Sequence, residues 1–239
     1  MELIDLAEGL GPLADDLATT SLALARRFAA GATMWCVAPE WPPHAQHVAV
    51  EFVHPVIMGK RALPAAIVEG SDLIGGLRAL SRPGDILCAV ATGVEPNVVS
   101  AMRRASAWGL TTVWVGAGAR PEPGAADHVL WLPGEVAAAA HGGRFVLMYH
   151  LLWELTHVCF EHPGLLEAEP ECDDEVCVTC SDEGRVAEVV VGGAPGYVQV
   201  RTARGLESVD TTLIGDAHPG DLVLVHAGAA ITMLEGSSR

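Results

Sequence analysis

Basic residues are scarce in this sequence. Among its 239 residues, 14 are Lys or Arg and 30 are Asp or Glu, so the formal net charge is −16. Because a phosphate backbone is neutralised by clustered cations, this balance argues against a nucleic-acid partner. No apolar run is long enough to cross a bilayer, and Met1–Asp5 lacks the basic start of a signal peptide. We therefore expect a cytoplasmic protein without a membrane partner.

Cysteine is also sparse, with six in the chain. Three stand alone in apolar surroundings, where a buried structural thiol is the usual role: Cys36, Cys88 and Cys159. The other three, Cys172, Cys177 and Cys180, lie together in an acidic stretch, a pattern that favours metal or redox chemistry in a cytosolic protein. The spacing of Cys177 and Cys180 lets them chelate one ion or form a redox loop. They supply two ligands, whereas a structural zinc ion takes four.

Short apolar runs alternate with helical patterns over the first two thirds of the chain. The runs predict buried strands at 33–38, 63–68, 85–91, 111–116 and 128–132, and a long helix is predicted within 134–161. Such alternation is typical of a parallel sheet covered by helices on both faces. We therefore predict an α/β parallel-sheet sandwich. In this class, ligands bind at the carboxyl ends of the strands, near a switch in strand order.

The composition changes near residue 166. An acidic, proline-containing stretch at 166–176 is expected to link a domain of residues 1–165 to a domain of residues 177–239. The second domain contains short alternating strands separated by Gly and Pro, which favours an all-β structure. A domain of roughly sixty residues buries only a small core. We therefore predict a closed, OB-like β-barrel, because closure leaves no strand edge exposed.

Three segments of the second domain together resemble the hydrogenase-formation chaperones of the HypC/HupF type. They are Cys177–Cys180 with the following Gly184–Val189, then Val209–Gly215, and Pro219–Ile231. The resemblance implies an accessory chaperone for nickel–iron hydrogenase maturation. Such a chaperone carries or docks a transient iron centre and works with a hydrogenase maturation protein and the hydrogenase large subunit. It also implies that Cys177 holds the metal, with Cys180 as the second candidate, and that His226 docks the partner. The alternative for His226, which ends an apolar strand, is a hydrogen-bonded core histidine.

The first domain is similar to sugar-isomerase (SIS) domains, and most to the phosphoheptose isomerase type. The segments that carry the similarity are His47–Phe52, Pro64–Ile67, Pro83–Leu87, Ala105–Trp114 and Ala125–Val129. It implies that Glu51 is the catalytic glutamate and that the loop at Thr92 binds a sugar phosphate. The family's partner histidine aligns near Phe145, and His150 takes that role only if the helix is rotated or shifted. The alternatives are an interface acid for Glu51 and a helix-packing residue for His150.

The two loops expected to bind phosphate depart from that family. In the first loop, Val37–Trp41, Pro39 removes a backbone donor and Glu40 adds a negative charge. The second loop keeps Thr92, but Glu95 places a carboxylate at the helix start, where it competes with phosphate. We therefore expect ligand contacts at Thr92 and Glu95 without tight binding of phosphate.

These features lead to three hypotheses for function. In the first, the chain is not an enzyme: a degenerate SIS-like domain supplies docking and forms a homodimer or tetramer, while the barrel serves hydrogenase maturation. The second is a sugar-phosphate isomerase, or a sugar-phosphate-binding protein, with an appended barrel. The third is a generic metal- or redox-binding module. A different metal pocket would instead combine five residues of the first domain: Glu40, His44, His47, Glu51 and Glu95.

Overall fold

A computed structural model describes residues 10–55, 57, 59–132, 134–141, 143–166 and 184–236. These residues fall into two compact units, one within 1–103 and 111–168 and the other within 104–110 and 169–239. Most of the predicted linker, 166–176, lies outside the described residues, so the domain boundaries stay a prediction. No helix among the described residues combines the length and the apolarity that a membrane span requires.

The first unit alternates helices and strands, as the apolar runs predict. Its α-helices are Ala14–Ala29 (α1), Pro42–Val53 (α2), Leu73–Leu80 (α3), Pro96–Ala105 (α4), Val136–His141 (α5) and Arg144–Glu161 (α6). Its strands are Met34–Val37 (β1), Ala65–Ile67 (β2), Ile86–Val90 (β3), Thr111–Ala117 (β4) and His128–Leu132 (β5). Short 3-10 segments at Gly11–Leu13 and Pro163–Leu165 complete the described part of this unit.

The five strands form one parallel sheet in the order β2-β1-β3-β4-β5. The prediction of a parallel α/β sheet is therefore confirmed. The chain passes from β1 to β2 on one side and then returns to place β3 on the other side of β1. The order thus reverses between β1 and β3, and their carboxyl ends flank the place where this fold class binds ligands.

At the opposite edge of the sheet, a buried carboxylate connects the starts of β1 and β3. Asp85 accepts hydrogen bonds from the Thr33 backbone N–H at 2.8 Å, the Trp35 indole N–H at 2.9 Å and the Arg82 backbone N–H at 2.9 Å. Asp85 is 7% exposed. Because a buried carboxylate is stabilised by several donors, this residue has a structural role, away from the carboxyl ends of the strands.

The long helix predicted within 134–161 is α6, and the short helix α5 precedes it in the same range. Gly143 precedes α6 with a φ of 82°, a left-handed conformation that glycine adopts without steric cost. The break resets the helical phase, so α6 begins at Arg144 rather than continuing from α5. Phe145, Met148 and Leu152 then face the core with no exposed surface.

The second unit contains a closed barrel of five short strands. They are Arg185–Gly192 (β6), Tyr197–Thr202 (β7), Gly205–Asp210 (β8), Leu222–His226 (β9) and Ala229–Glu235 (β10). The order around the barrel is β10-β8-β7-β6-β9, and every neighbouring pair is antiparallel except β8 with β10. Small apolar side chains, mostly valine, fill its core. The strand β10 was not predicted from the sequence.

Candidate active site

Three ionisable side chains converge between α2 and α6. His47 and Glu51 lie one turn apart on α2, with 3.2 Å between His47 Nε2 and Glu51 Oε1. His150, on α6, places its Nε2 atom 3.1 Å from the same Glu51 oxygen and 3.2 Å from His47 Nε2. The structure thus brings together Glu51 and His150, the two residues that the sequence offers as candidates for the remnant of an isomerase site.

The packing of both helices explains this convergence. On α2, Ala45, Val48 and Phe52 are buried, which leaves His47 and Glu51 at the margin that faces α6. Glu51 is 13% exposed, and His150 is 43% exposed. The site is therefore shielded at the carboxylate and open to solvent at one histidine.

The spacing of the three donor atoms also fits a metal ion. A tetrahedral ion with bonds of about 2.0–2.1 Å separates its ligand atoms by about 3.3 Å. The atoms His47 Nε2, Glu51 Oε1 and His150 Nε2 lie 3.1–3.2 Å from one another. Two imidazoles and one carboxylate form a donor set that suits zinc and leaves a fourth position for another ligand.

A second layer of polar groups lies behind His47. The Tyr149 hydroxyl is 2.9 Å from His47 Nδ1 and 3.4 Å from His44 Nδ1, and His44 Nε2 is 2.9 Å from the Ala140 carbonyl oxygen. Burial raises the pKa of the Tyr149 hydroxyl, and the nearby Glu51 carboxylate adds to this shift. Burial also lowers the pKa of His44, which favours its neutral form.

The loops after β1 and β3 bring Glu40 and Thr92 together. The Thr92 backbone N–H donates to Glu40 Oε2 at 2.7 Å, and the Thr92 hydroxyl donates to the same oxygen at 3.0 Å. Glu95 accepts from the Val98 backbone N–H at 2.6 Å and from the Asn97 side-chain amide at 3.1 Å. Side-chain carboxylates of the chain itself therefore occupy backbone N–H, hydroxyl and amide donors of these two loops.

A cavity of about 300 Å³ lies beside the first of these loops. It is lined by Ala38, Pro39, Pro42, Ala45, Val68, Glu69, Gly70, Leu73 and Asn97. Glu69 is its one charged lining residue among the described residues. The cavity has the size of a small-molecule pocket, but its lining supplies no cation to attract a phosphate.

The other predicted site residues have different outcomes. Cys177 and Cys180 lie outside the described residues, so their metal-binding role stays a prediction. His226 is the last residue of β9 and pairs with Ala229 across the hairpin, a position that leaves its docking role untested. The alternative metal pocket is partly assembled, with His47 and Glu51 in the cluster.

Sequence reasoning missed the pairing of His47 with His150 and Tyr149. The spacing of His47 and Glu51, four residues apart on a predicted helix, is the signal that indicates a shared face. The contribution of Tyr149 carried no such signal, because it depends on how α6 packs against α2.

Two curated relatives are phosphoheptose isomerases. The chain is 27% identical over 165 residues to the enzyme of Maridesulfovibrio salexigens and 30% identical over 168 residues to that of Nitratidesulfovibrio vulgaris. Each match covers 62% of this chain and 80% of the relative. No family model matches the sequence.

Solved structures of the same kind share the fold. A phosphoheptose isomerase from Francisella tularensis matches 65% of this chain and 90% of its own, with a TM-score of 0.56 and 20% identity. The phosphoheptose isomerase from Neisseria gonorrhoeae matches 64% of this chain and 91% of its own, with a TM-score of 0.52 and 18% identity. These structures confirm the SIS-like fold predicted from the sequence.

The comparisons correct the functional prediction. They contradict the hydrogenase-maturation chaperone, because the relatives are phosphoheptose isomerases, and they give no support to a HypC/HupF-like second domain. The prediction that the chain is not an enzyme is likewise unsupported, since its relatives are named as isomerases. With 30% identity across 80% of a curated relative, the chain belongs to the phosphoheptose isomerase family.

Proposed function

We propose that this chain is a sugar-phosphate isomerase of the phosphoheptose type, with Glu51 and His150 as its proton-transfer pair. The observation that carries the proposal is the 3.1 Å contact between Glu51 Oε1 and His150 Nε2, two groups from different helices. Isomerisation needs an acid and a base held together, and this pair meets that need. The names of the curated relatives supply the reaction class.

Interconversion of an aldose and a ketose moves one proton between adjacent carbons and another between their oxygens. In our proposal, the Glu51 carboxylate removes the carbon-bound proton and returns it to the neighbouring carbon of the resulting enediol. His150 transfers the proton between the two oxygens. The partial burial of Glu51 limits competition from bulk water, whereas His150 is exposed enough for a substrate to reach it from solvent.

The same residues fit a divalent cation. His47, Glu51 and His150 would hold it, and a bound cation would polarise a substrate oxygen. With a cation bound, Glu51 would serve either as a ligand or as the base, and His47 would be a ligand in both cases.

In this proposal, the carboxylates in the loops after β1 and β3 lower the affinity for a phosphorylated substrate. A phosphate that approaches Thr92 must displace the Glu40 carboxylate from its N–H and hydroxyl donors. We therefore propose that the chain binds phosphorylated sugars weakly in this conformation. In this proposal, Glu40 and Glu95 lower the affinity for phosphate, as the sequence predicts. A low phosphate affinity is compatible with an intact proton-transfer pair.

Turnover of sedoheptulose 7-phosphate by the full chain tests the function. Glu51→Gln keeps the shape of the side chain but removes the base, so kcat should fall about 10²–10⁴-fold. Glu154→Gln, on the exposed side of α6, is the matched control and should retain the wild-type rate. A wild-type chain with no measurable turnover at millimolar substrate would overturn the proposal, as would full activity of Glu51→Gln.

For the second unit, we propose the OB-like barrel class. Starting from β6, the strand order around the barrel is β6-β7-β8-β10-β9, and the pairing of β8 with β10 is parallel. Five strands and a closed order support this class. The function proposed here rests on the first unit alone.

A further inference from the structure

The hydroxyl of Tyr149 lies between two histidines of α2. It is 2.9 Å from His47 Nδ1 and 3.4 Å from His44 Nδ1. Tyr149 is 1% exposed, so water has little access to satisfy these groups in its place. The three side chains therefore form one hydrogen-bonded chain that ends at the Ala140 carbonyl, 2.9 Å from His44 Nε2.

The carbonyl of Ala140 determines which group donates and which accepts in this series of hydrogen bonds. A carbonyl oxygen only accepts, so His44 Nε2 carries the proton of that bond and, in the neutral ring, Nδ1 is an acceptor. Tyr149 has one proton to donate. If it donates to His44, its oxygen is free to accept from His47 Nδ1–H, and all three contacts are satisfied. The opposite direction leaves the His44 Nδ1 lone pair facing the tyrosine oxygen without a proton between them.

This direction fixes the tautomer of His47. With its proton on Nδ1, the ring turns an unprotonated Nε2 toward Glu51 Oε1 and His150 Nε2, which lie at 3.2 Å. That is the form in which an imidazole binds a cation or accepts a proton. With His47 Nε2 unprotonated, the proton within the cluster is carried by His150 Nε2, which lies 3.1 Å from Glu51 Oε1 and 3.2 Å from His47 Nε2. The opposite tautomer would donate its Nε2–H to Glu51 Oε1 and leave no lone pair for a cation.

We propose that Tyr149 and His44 are positioning residues that hold His47 in the Nδ1-protonated tautomer. The inference rests on the proposed function only in taking His47, Glu51 and His150 as the working site. Tyr149 acts on His47 directly, and His44 acts through Tyr149. Neither residue is assigned contact with the substrate.

The tautomer is measurable without activity. Long-range ¹H–¹⁵N correlation spectra of the full chain, without added metal, distinguish a protonated Nδ1 from a protonated Nε2. We expect His47 to be protonated at Nδ1 in the wild type and to become a mixture of tautomers in Tyr149→Phe. A wild-type His47 protonated at Nε2 would overturn the inference, as would an unchanged tautomer in Tyr149→Phe.

Binding of Zn²⁺ alone provides a second measurement. Loss of an outer partner of a histidine ligand typically weakens metal binding about 10–100-fold, and we expect Tyr149→Phe to fall in this range. His44→Phe keeps an aromatic ring beside Phe145 and should lose less affinity. The double variant should bind as Tyr149→Phe does, because His44 acts through the hydroxyl that is already absent. Additive losses would contradict this order of action.

Two controls separate positioning from packing. Tyr197→Phe removes the hydroxyl of the chain's other tyrosine, on β7, and should leave both measurements unchanged. Phe145→Leu alters the packing around His44 without removing a hydrogen bond. If Phe145→Leu reproduces the loss seen in Tyr149→Phe, the effect is structural and the inference is wrong.

An inactive wild type with His47 protonated at Nδ1 would overturn the isomerase proposal and leave the positioning role standing.

Discussion

Glu40 resembles a bound anion in the contacts it makes. Its carboxylate accepts from the backbone N–H and the hydroxyl of Thr92, which are the types of donor that hold phosphate in loops of this kind. A carboxylate tethered to the chain is present at high effective concentration, so it competes with any phosphate in solution. In the proposed function, Glu40 therefore lowers the affinity for phosphate and takes no part in proton transfer.

Removal of this competitor should strengthen phosphate binding. In Glu40→Ala, sedoheptulose 7-phosphate should bind about tenfold more tightly than to the wild type, because one charge-assisted contact no longer has to be displaced. Calorimetric titration measures the difference. Glu161→Ala is the control, since it removes one negative charge that bonds to Lys60 and not to Thr92. Equal gains in both variants would show a general charge effect instead.

Two thiols of the sheet are expected to be inert in the folded chain. Burial raises the pKa of Cys36 and raises that of Cys88 to about 12, and each is 1% exposed. Iodoacetamide at pH 8 should therefore leave both unmodified until the chain is unfolded, as peptide mass mapping would show. Because their folded pKa values are raised, the stability linked to these thiols is present below about pH 9 and is lost as pH rises toward 12. Rapid labelling of native Cys88 would contradict this burial.

At the scale of elements, the rotation of α6 about its own axis determines which of its side chains reach the site. Glu51 could be predicted because the segment His47–Phe52 resembles the phosphoheptose isomerase type. The sequence predicts His150 only on the condition that the helix is rotated or shifted, because the family's partner histidine aligns near Phe145. The break before α6 instead turns Phe145 into the core, against Trp41 and His44, and brings His150 to Glu51.

The packing of β4 against β5 gives a test at this scale. A Cβ atom on Gly116 would overlap the ring of Trp131 and the carbonyl oxygen of Ala91. Gly116→Ala should therefore lower the free energy of unfolding by about 1–3 kcal/mol, which urea denaturation measures. Gly164→Ala is the control, because its added methyl group meets open space. An equal effect of the two substitutions would contradict tight packing at Trp131.

The sequence of the second unit predicts strands better than it predicts function. Its longest matching segment, Pro219–Ile231, contains β9, a two-residue turn and the start of β10. Ala227 and Gly228 have φ values of 49° and 81°, and His226 pairs with Ala229 across them, as in a tight β-hairpin. The segment therefore reflects the physical needs of a hairpin, and residues that build a hairpin do not specify a partner.

At the scale of the whole molecule, we propose that the chain forms a homodimer or tetramer. On α6, the half-buried apolar side chains of Val146, Leu147, Leu151 and Leu155 pack against the core with part of their surface left open. Val50, on α2, is 53% exposed. Light scattering on the full chain should give a mass of two or four times 25.0 kDa. A clean monomer at micromolar concentration would count against this assembly.

The three site residues come from distant parts of the sequence, so cation binding depends on the folded arrangement of both helices. His47 and Glu51 belong to one helix, but His150 lies 103 residues beyond His47 in the chain. An unfolded chain keeps two neighbouring donors and loses the third, so the native state should bind a cation more tightly. With free Zn²⁺ at 100 times its dissociation constant, the linkage adds about 2.7 kcal/mol to the free energy of unfolding. Removal of the cation by a chelator should then lower the thermal unfolding midpoint of the intact chain. Cation binding at this site would therefore indicate that α2 and α6 are packed against each other.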